Sequence, residues 1–382
     1  MSYVPPHKRH ENIALRASSV PPLSKLNKKP GKDDKTIIYA YDYISRLFLV
    51  GVHDDDEDYF HLQLVPVSSE WKRDTEEKSL GILVKSDFVK PENPWLWVSE
   101  KVEDVLILGF GRAKKMLLSY RSEQVKLRLI FRFGKILFHS EPGTPPSTNN
   151  LLYGSSETVR DGLLTKVSAL KKLKKSFQTN VPKSYVENIG YKAVPDMGFS
   201  IEETKELYLV KVSDNTRPEV AIFCKCQTDL NVLRHLVLDI SCLDQDLDMR
   251  LMVDSKRTLT NLSENEIKSL KELTDSAVID PNVKGGLKWP LGKSSCADRY
   301  NVCGVWHTVT TTYRNQTLKL QITDADRYDF RTGVGGTTRE VDLKLKALSA
   351  ILLKEENVER KCVSDMLNDC LKAVWDYFLK LV

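Results

Sequence analysis

Cysteine is scarce in this 382-residue chain: there are seven, an odd number. So few thiols exclude a disulfide framework and point to a reducing compartment, cytosol or nucleus. The opening MSYVPPHKRH has no apolar core of the kind a secretory signal carries. No run of about 18 apolar residues occurs, so no helix is expected to span a membrane. Cys224 and Cys226 stand two apart without a second pair or a nearby histidine, which excludes a structural zinc site.

The usual catalytic signatures are missing too. Gly292-Lys293-Ser294 offers the end of a phosphate loop, but the glycine required ahead of it is Leu287, and Trp289-Pro290 would stiffen a loop that has to curl. Gly109-Phe110-Gly111 lacks the third glycine of a dinucleotide fingerprint. There is no Gly-x-Ser-x-Gly, and His139, His235 and His307 read as strand histidines rather than general bases. No cofactor is assigned from motifs.

What is present is ordinary globular material, 41% hydrophobic and 29% charged, with net charge +5. Residues 1–35 hold Lys8, Arg9, Arg16, Lys25, Lys28, Lys29, Lys32 and Lys35 against Glu11, Asp33 and Asp34, which accounts for the whole excess. That segment is rich in Pro, Lys, Ser and Asn and reads as a disordered basic tail. Residues 36–141 read as an α+β domain or half-domain, 142–156 (PGTPPSTNNLLYGSS) as a linker, and 157–382 as a second α+β domain.

Alternating segments predict strands at 37–41, 59–65, 80–84, 207–212, 220–226, 236–240, 249–253, 302–312, 318–322 and 341–345. Their short spacing favours antiparallel pairing. Leu127 to His139 predicts a hairpin turning at Gly134-Lys135. Helices are expected at 99–118, over the lysine-rich stretch Val159 to Phe177, after the capping box Ser263-Glu264-Asn265-Glu266, and at about 356–381. The last has Val358, Cys362, Met366, Cys370, Val374, Trp375 and Phe378 on one stripe. The fold class is therefore α+β, mostly antiparallel sheet flanked by helices, with the C-terminal helix packed on the sheet.

One strand stands out chemically. Glu340, Asp342, Lys344 and Lys346 alternate with Val341, Leu343 and Leu345, so a period of two puts four charges on one face. Half-exposed strands alternate in this way as a rule, and the face reads first as a solvated outer one. The alternative is a metal and polyphosphate site, with Lys126, Arg128 and Arg132 as further cations and Asp324 and Asp326 as further acids. Glu-x-Asp-x-Lys is similar to the Glu-x-Glu-x-Lys strand of triphosphate tunnel enzymes, whose closed barrels point charges inward. The resemblance implies a metal-dependent phosphohydrolase with Glu340, Asp342 and Lys344 as catalytic residues. Aromatic and basic residues interleave at Arg327-Tyr328-Asp329-Phe330-Arg331, either to clamp single-stranded RNA or to anchor a turn.

Tyr3-Val4-Pro5-Pro6-His7-Lys8-Arg9 resembles the Tyr-Ile-Pro-Pro-His-Leu-Arg motif in the N-terminal arms of DEAD-box RNA helicases, with lysine where leucine is usual. It implies docking to a protein partner through Tyr3, Pro5, Pro6 and Arg9, with RNA as a further partner; the formally neutral body and the lack of a long apolar run lead to no expectation of DNA or membrane. RFGKILFH at 132–139, TNVPKSYVENIGY at 179–191, RHLVLDISCLDQDLDMRLM at 234–252 and AVIDPNVKGGLKWPLGK at 277–293 resemble a family of plant proteins with no assigned activity. The expectation from sequence is a non-enzymatic interaction protein, with the tunnel-type phosphohydrolase as the alternative.

Overall fold

A computed structural model describes residues 44–52, 61–67, 79–84, 91–119, 125–139, 163–214, 217–224, 229–258, 300–329, 334–354 and 359–381, with short pieces between 263 and 296. The tail with Tyr3, Pro5, Pro6 and Arg9, the linker 142–156, the strand expected at 37–41 and most of the helix after the capping box lie outside these residues. The described part belongs to one unit, Tyr43–Val382.

The chain runs β1 (Ile44–Leu49), β2 (His61–Pro66), β3 (Ser79–Val84), α1 (Pro94–Ser119), β4 (Val125–His139), β5 (Leu163–Lys166), α2 (Val167–Lys172), β6 (Lys174–Gln178) and α3 (Lys183–Asn188). After α3 come a π turn and a last helical turn ending at Asp196. Then follow β7 (Ser200–Asp214), β8 (Arg217–Cys224), β9 (Asp229–Ser241), β10 (Asp248–Thr258) and three two-residue strands, β11 (Val278–Ile279), β12 (Leu287–Lys288) and β13 (Ser295–Cys296). β14 (Tyr300–Arg314), β15 (Leu318–Asp329), β16 (Val334–Leu345), α4 (Lys346–Lys354) and α5 (Arg360–Tyr377) complete it. The fold is α+β and mostly antiparallel, with β1 alongside β9 as a parallel pair.

Eight of these strands close into a ring. β9 pairs β10, β10 pairs β4, β4 pairs β16, and the wall continues through β15, β14, β7 and β8 back to β9, every step antiparallel. Two of the seams are narrow. β16 meets β4 through Asp342↔Arg132, Leu343↔Phe131 and Lys344↔Ile130 only. β8 meets β9 through Ile222↔Asn231, Phe223↔Leu230 and Cys224↔Asp229.

The hydrophobic core lies outside this ring, between the wall and the helices. Leu127, Leu129, Phe131 and Phe133 of β4, Leu236, Leu238 and Ile240 of β9, and Leu318, Leu320, Val341 and Leu343 of β15 and β16 share one cluster with Val102, Leu106 and Phe110 of α1 and Leu367, Leu371 and Val374 of α5. Phe133 stacks on Phe378 with ring centroids 5.0 Å apart.

The structure corrects three expectations. The segment 127–139 is a single strand, not a hairpin: β4 runs straight through Gly134 and carries the ring in its first part and a smaller sheet of β2, β3, β5 and β6 beyond. Gly134 is required for close approach rather than turning, since a Cβ there would fall 2.0 Å from the Gln178 carbonyl oxygen. The lysine-rich helix is instead β5, a short α2 and β6, because Phe177 and its neighbours pair with the extended end of β4. In α5 Val374 and Trp375, and Phe378 just beyond it, are buried as expected, but the earlier turns bury Val363, Leu367 and Leu371, one residue on from Cys362, Met366 and Cys370.

Candidate functional site

The site follows from the period of a strand. In the ring part of β4 the odd residues Leu127, Leu129, Phe131 and Phe133 are apolar and join the cluster under α1 and α5, so Arg128, Ile130 and Arg132 must face the other way. In a closed ring the other way is inward. The same logic turns Asp239 of β9, Arg250 and Asp254 of β10, Lys319, Gln321 and Thr323 of β15, and Glu340, Asp342 and Lys344 of β16 into the interior. One row crosses the wall through the registered positions Asp239, Arg250, Arg132, Asp342, Gln321, Thr312 and Glu203.

Guanidinium–carboxylate pairs organise this interior. Arg132 donates from Nε and Nη2 to Asp342 at 2.7 and 2.8 Å. Arg128 holds Asp254 in the same two-point fashion at 2.7 Å, and Arg250 holds Asp239 at 2.6 and 3.2 Å. Glu340 accepts from Arg327 Nη2 at 2.7 Å and from the Thr179 hydroxyl at 2.9 Å, with Arg132 a further 3.7 Å away. Planar two-point pairing of this kind is what guanidinium groups also offer to phosphate. A small apolar cluster of Ile130, Val237 and Met252 sits among the charges.

The interior is enclosed yet reachable by water: side-chain exposure is 9% for Glu340, 17% for Asp342 and 22% for Arg132. The expected solvated outer face is therefore an inner one. Burial works against the charge on Arg132, but Asp342 and Glu340 more than offset it and hold its pKa above the ordinary value. Burial alone would raise Glu340, and the guanidinium groups of Arg132 and Arg327 instead keep it below the usual carboxylate range. Lys344 has no such rescue. Burial, with Arg128 and Lys319 nearby, lowers it from 10.5 to about 8, against partial compensation from Asp342.

Of the residues singled out from sequence, Glu340, Asp342, Lys344, Arg128 and Arg132 come together here. Lys346 opens α4, and Asp324 pairs with Arg339 at 2.7 Å, away from the inward positions of its strand. His139 bonds Ser176 at 2.6 Å, His235 bonds Ser255 at 2.8 Å and His307 bonds Glu206 at 2.6 Å. The reading of single residues missed Asp239, Arg250, Asp254 and Thr179. Their strands alternate visibly, but nothing local says which strands are neighbours.

A divalent cation belongs to the chemistry that such a strand implies. Among the described residues no group of three or more His, Cys, Asp or Glu side chains gathers in metal-ligand geometry. Magnesium commonly takes only one or two carboxylates and completes its shell with water and phosphate oxygens. Glu340 and Asp342, two hard oxygen donors alternating on one wall, fit an ion that arrives with phosphate, and do not make a resident all-protein site.

The fold and site define a class: a closed antiparallel barrel with an apolar exterior under helices and a charged interior. The chain belongs to the family described as Domain of unknown function (DUF7903), which matches residues 31–378. No curated protein matches it. Among solved structures it is similar to the S. pombe Pct1 RNA triphosphatase, at 10% identity and TM-score 0.43 over 78% of this chain and 98% of that one. The same enzyme in complex with the Spt5 CTD gives 9% and 0.44, over 76% and 95%. The PH1012 protein from Pyrococcus horikoshii OT3 gives 11% and 0.24, over 52% and 87%. At this distance the likenesses say nothing of this chain's chemistry.

Proposed function

We propose that the protein is a tunnel-type phosphohydrolase that takes a triphosphate group into the ring. The observation that supports this reading most is the inward direction of Glu340, Asp342 and Lys344 in a closed barrel, facing Arg128, Arg132 and Arg250. A solvated surface has no reason to set four guanidinium groups and four carboxylates inside a wall. Desolvating them is costly, and a purely structural interior would be filled more cheaply with apolar side chains.

The residues divide the work. Arg128, Arg132 and Arg250 exchange a carboxylate for phosphate oxygens, keeping two-point geometry throughout. Lys344, which makes no ion pair among the described residues, donates to an outer phosphate oxygen while it is protonated. As their guanidinium partners turn to the ligand, Glu340 and Asp342 become available to a divalent cation, which when bound supplies neutralisation of phosphate charge. Thr179 fixes the Glu340 carboxylate from the side.

The test is calorimetric binding of inorganic triphosphate to the full chain, followed by phosphate release with magnesium or manganese. Binding and release are expected, with release abolished in a Glu340→Gln chain that still unfolds cooperatively, and kept in the surface variant Asp376→Ala. A wild-type chain that neither binds triphosphate nor releases phosphate overturns the reading.

A further inference from the structure

Beyond Glu340 the interior changes character. Glu340 lies opposite Thr323, and the next inward positions on β15 and β16 are Ala325 opposite Thr338, then Arg327 opposite Gly336. β14 adds Thr308 beside Ala325 and Trp306 beside Arg327, and β7 adds Leu207 and Leu209. The acid–base lattice thus gives way to an indole, two leucines and one guanidinium. At a strand rise of about 3.4 Å per residue, Gly336 lies roughly 20 Å along the wall from Asp342.

Four observations at this end point to a ligand. The Arg327 guanidinium carbon lies 4.9 Å over the Trp306 ring, so a flat cation is stacked on a flat aromatic. The same Arg327 reaches Glu340 at 2.7 Å and so joins this end to the charged lattice. Arg327 Nε and the Thr338 hydroxyl are buried polar atoms with no hydrogen-bond partner among the described residues, an arrangement that costs free energy until something fills it. On the neighbouring inward position, a Cβ built on Gly336 would meet nothing within 4 Å, so there is open space beside the orphaned groups.

We propose that this end of the ring is a base-binding subsite: the ligand is a nucleoside 5′-triphosphate whose heterocycle stacks on the Trp306–Arg327 layer and takes a hydrogen bond from Thr338, while a ribose or phosphate oxygen at the edge of the layer accepts from Arg327 Nε. The inference rests on the triphosphate reading and narrows it. Inorganic triphosphate would fill the charged half and leave the aromatic half empty. A nucleotide has the flat face that indole and guanidinium stack against, a ring acceptor for Thr338 and an in-plane oxygen for Arg327 Nε. Arg327 is placed to sense both halves, since its Nη2 is on Glu340 while its plane is on Trp306.

The experiment is calorimetric titration of the full chain with adenosine and guanosine 5′-triphosphates and with inorganic triphosphate, in the wild type, Trp306→Leu and Thr338→Val. Melting temperature is recorded for each. The expected result is that the wild type binds at least one nucleotide about tenfold more tightly than inorganic triphosphate, in line with one stacked base. Trp306→Leu removes that preference without changing inorganic triphosphate affinity, and Thr338→Val reduces it. Equal affinities for the three ligands in the wild type, or a Trp306→Leu variant that folds and keeps the preference, overturn the subsite and leave the triphosphate reading standing. Absence of binding by all three ligands overturns both. Should Trp306→Leu fail to fold, the isosteric Thr338→Val decides: an unchanged preference counts against the subsite.

Discussion

The two faces of the ring wall are made by the same strands and obey opposite rules. Outward, β4 presents Leu127, Leu129, Phe131 and Phe133, all nearly or fully buried under helices. Inward, one residue along each time, it presents Arg128 and Arg132, each clamped to a carboxylate from another strand. The outer face is held by area removed from water, which tolerates exchange of one apolar residue for another of like volume. The inner face is held by matched charges, where removing one partner strands the other. A barrel that hides its apolar side outside, under helices, is free to fill its middle with chemistry.

The comparison can be broken hardest from outside. Phe133→Ala removes a ring stacked on Phe378 and is expected to cost about 3–5 kcal/mol of stability, read by chemical denaturation; a loss below 1 kcal/mol would mean that this face is not the core. Next comes Asp239→Ala, which leaves Arg250 without its carboxylate. It should cost about 3 kcal/mol, whereas the paired replacement Asp239→Leu with Arg250→Met should recover most of that loss. If the pair destabilises as much as the single change, the inner face is not governed by charge matching.

A smaller effect comes from pH. Lys344 is lowered to about 8 from 10.5, so between those values the unfolded chain binds the extra proton and the folded one does not. Stability contributed through this group therefore rises with pH across that window, while triphosphate affinity falls as the donor is lost. Lys344→Met should flatten both trends relative to wild type; identical pH profiles would remove Lys344 from the site. The smallest effect is expected from deleting residues 1–35, most of which precede the family match at residue 31. The melting temperature and triphosphate affinity should not move. The proposal that Tyr3, Pro5, Pro6 and Arg9 dock a protein partner predicts that capture of that partner is lost, and equal pull-down by both chains would reject it.

Much of the fold was legible, and the reason it was legible also set the limit. Alternation located most of the ring strands, and the Glu340-x-Asp342-x-Lys344 face was visible as a face. Alternation alone is symmetric, however: it separates two sides of a strand without saying which is inside. Only the closure of β9 through β10 and β4 to β16 decides that, and closure depends on pairings between strands up to about two hundred residues apart. Gly134 misled because glycine followed by lysine between alternating runs reads as a turn, while its actual role is to let the Gln178 backbone pass. In α5, Cys362, Met366 and Cys370 recur with the same spacing as the buried Val363, Leu367 and Leu371, and the periodicity did not choose between them.

On the triphosphate reading, the narrow join between β16 and β4 would tie ligand capture to the integrity of the barrel. Arg132 and Asp342 are a registered pair in that three-residue join, and their two-point bond is a rivet across it. A phosphate that wins Arg132 from Asp342 draws the rivet, and by gripping cations on both sides of the gap it takes over as the fastener. The barrel would then be sutured by its own cargo, and riveted again by Asp342 each time the cargo leaves.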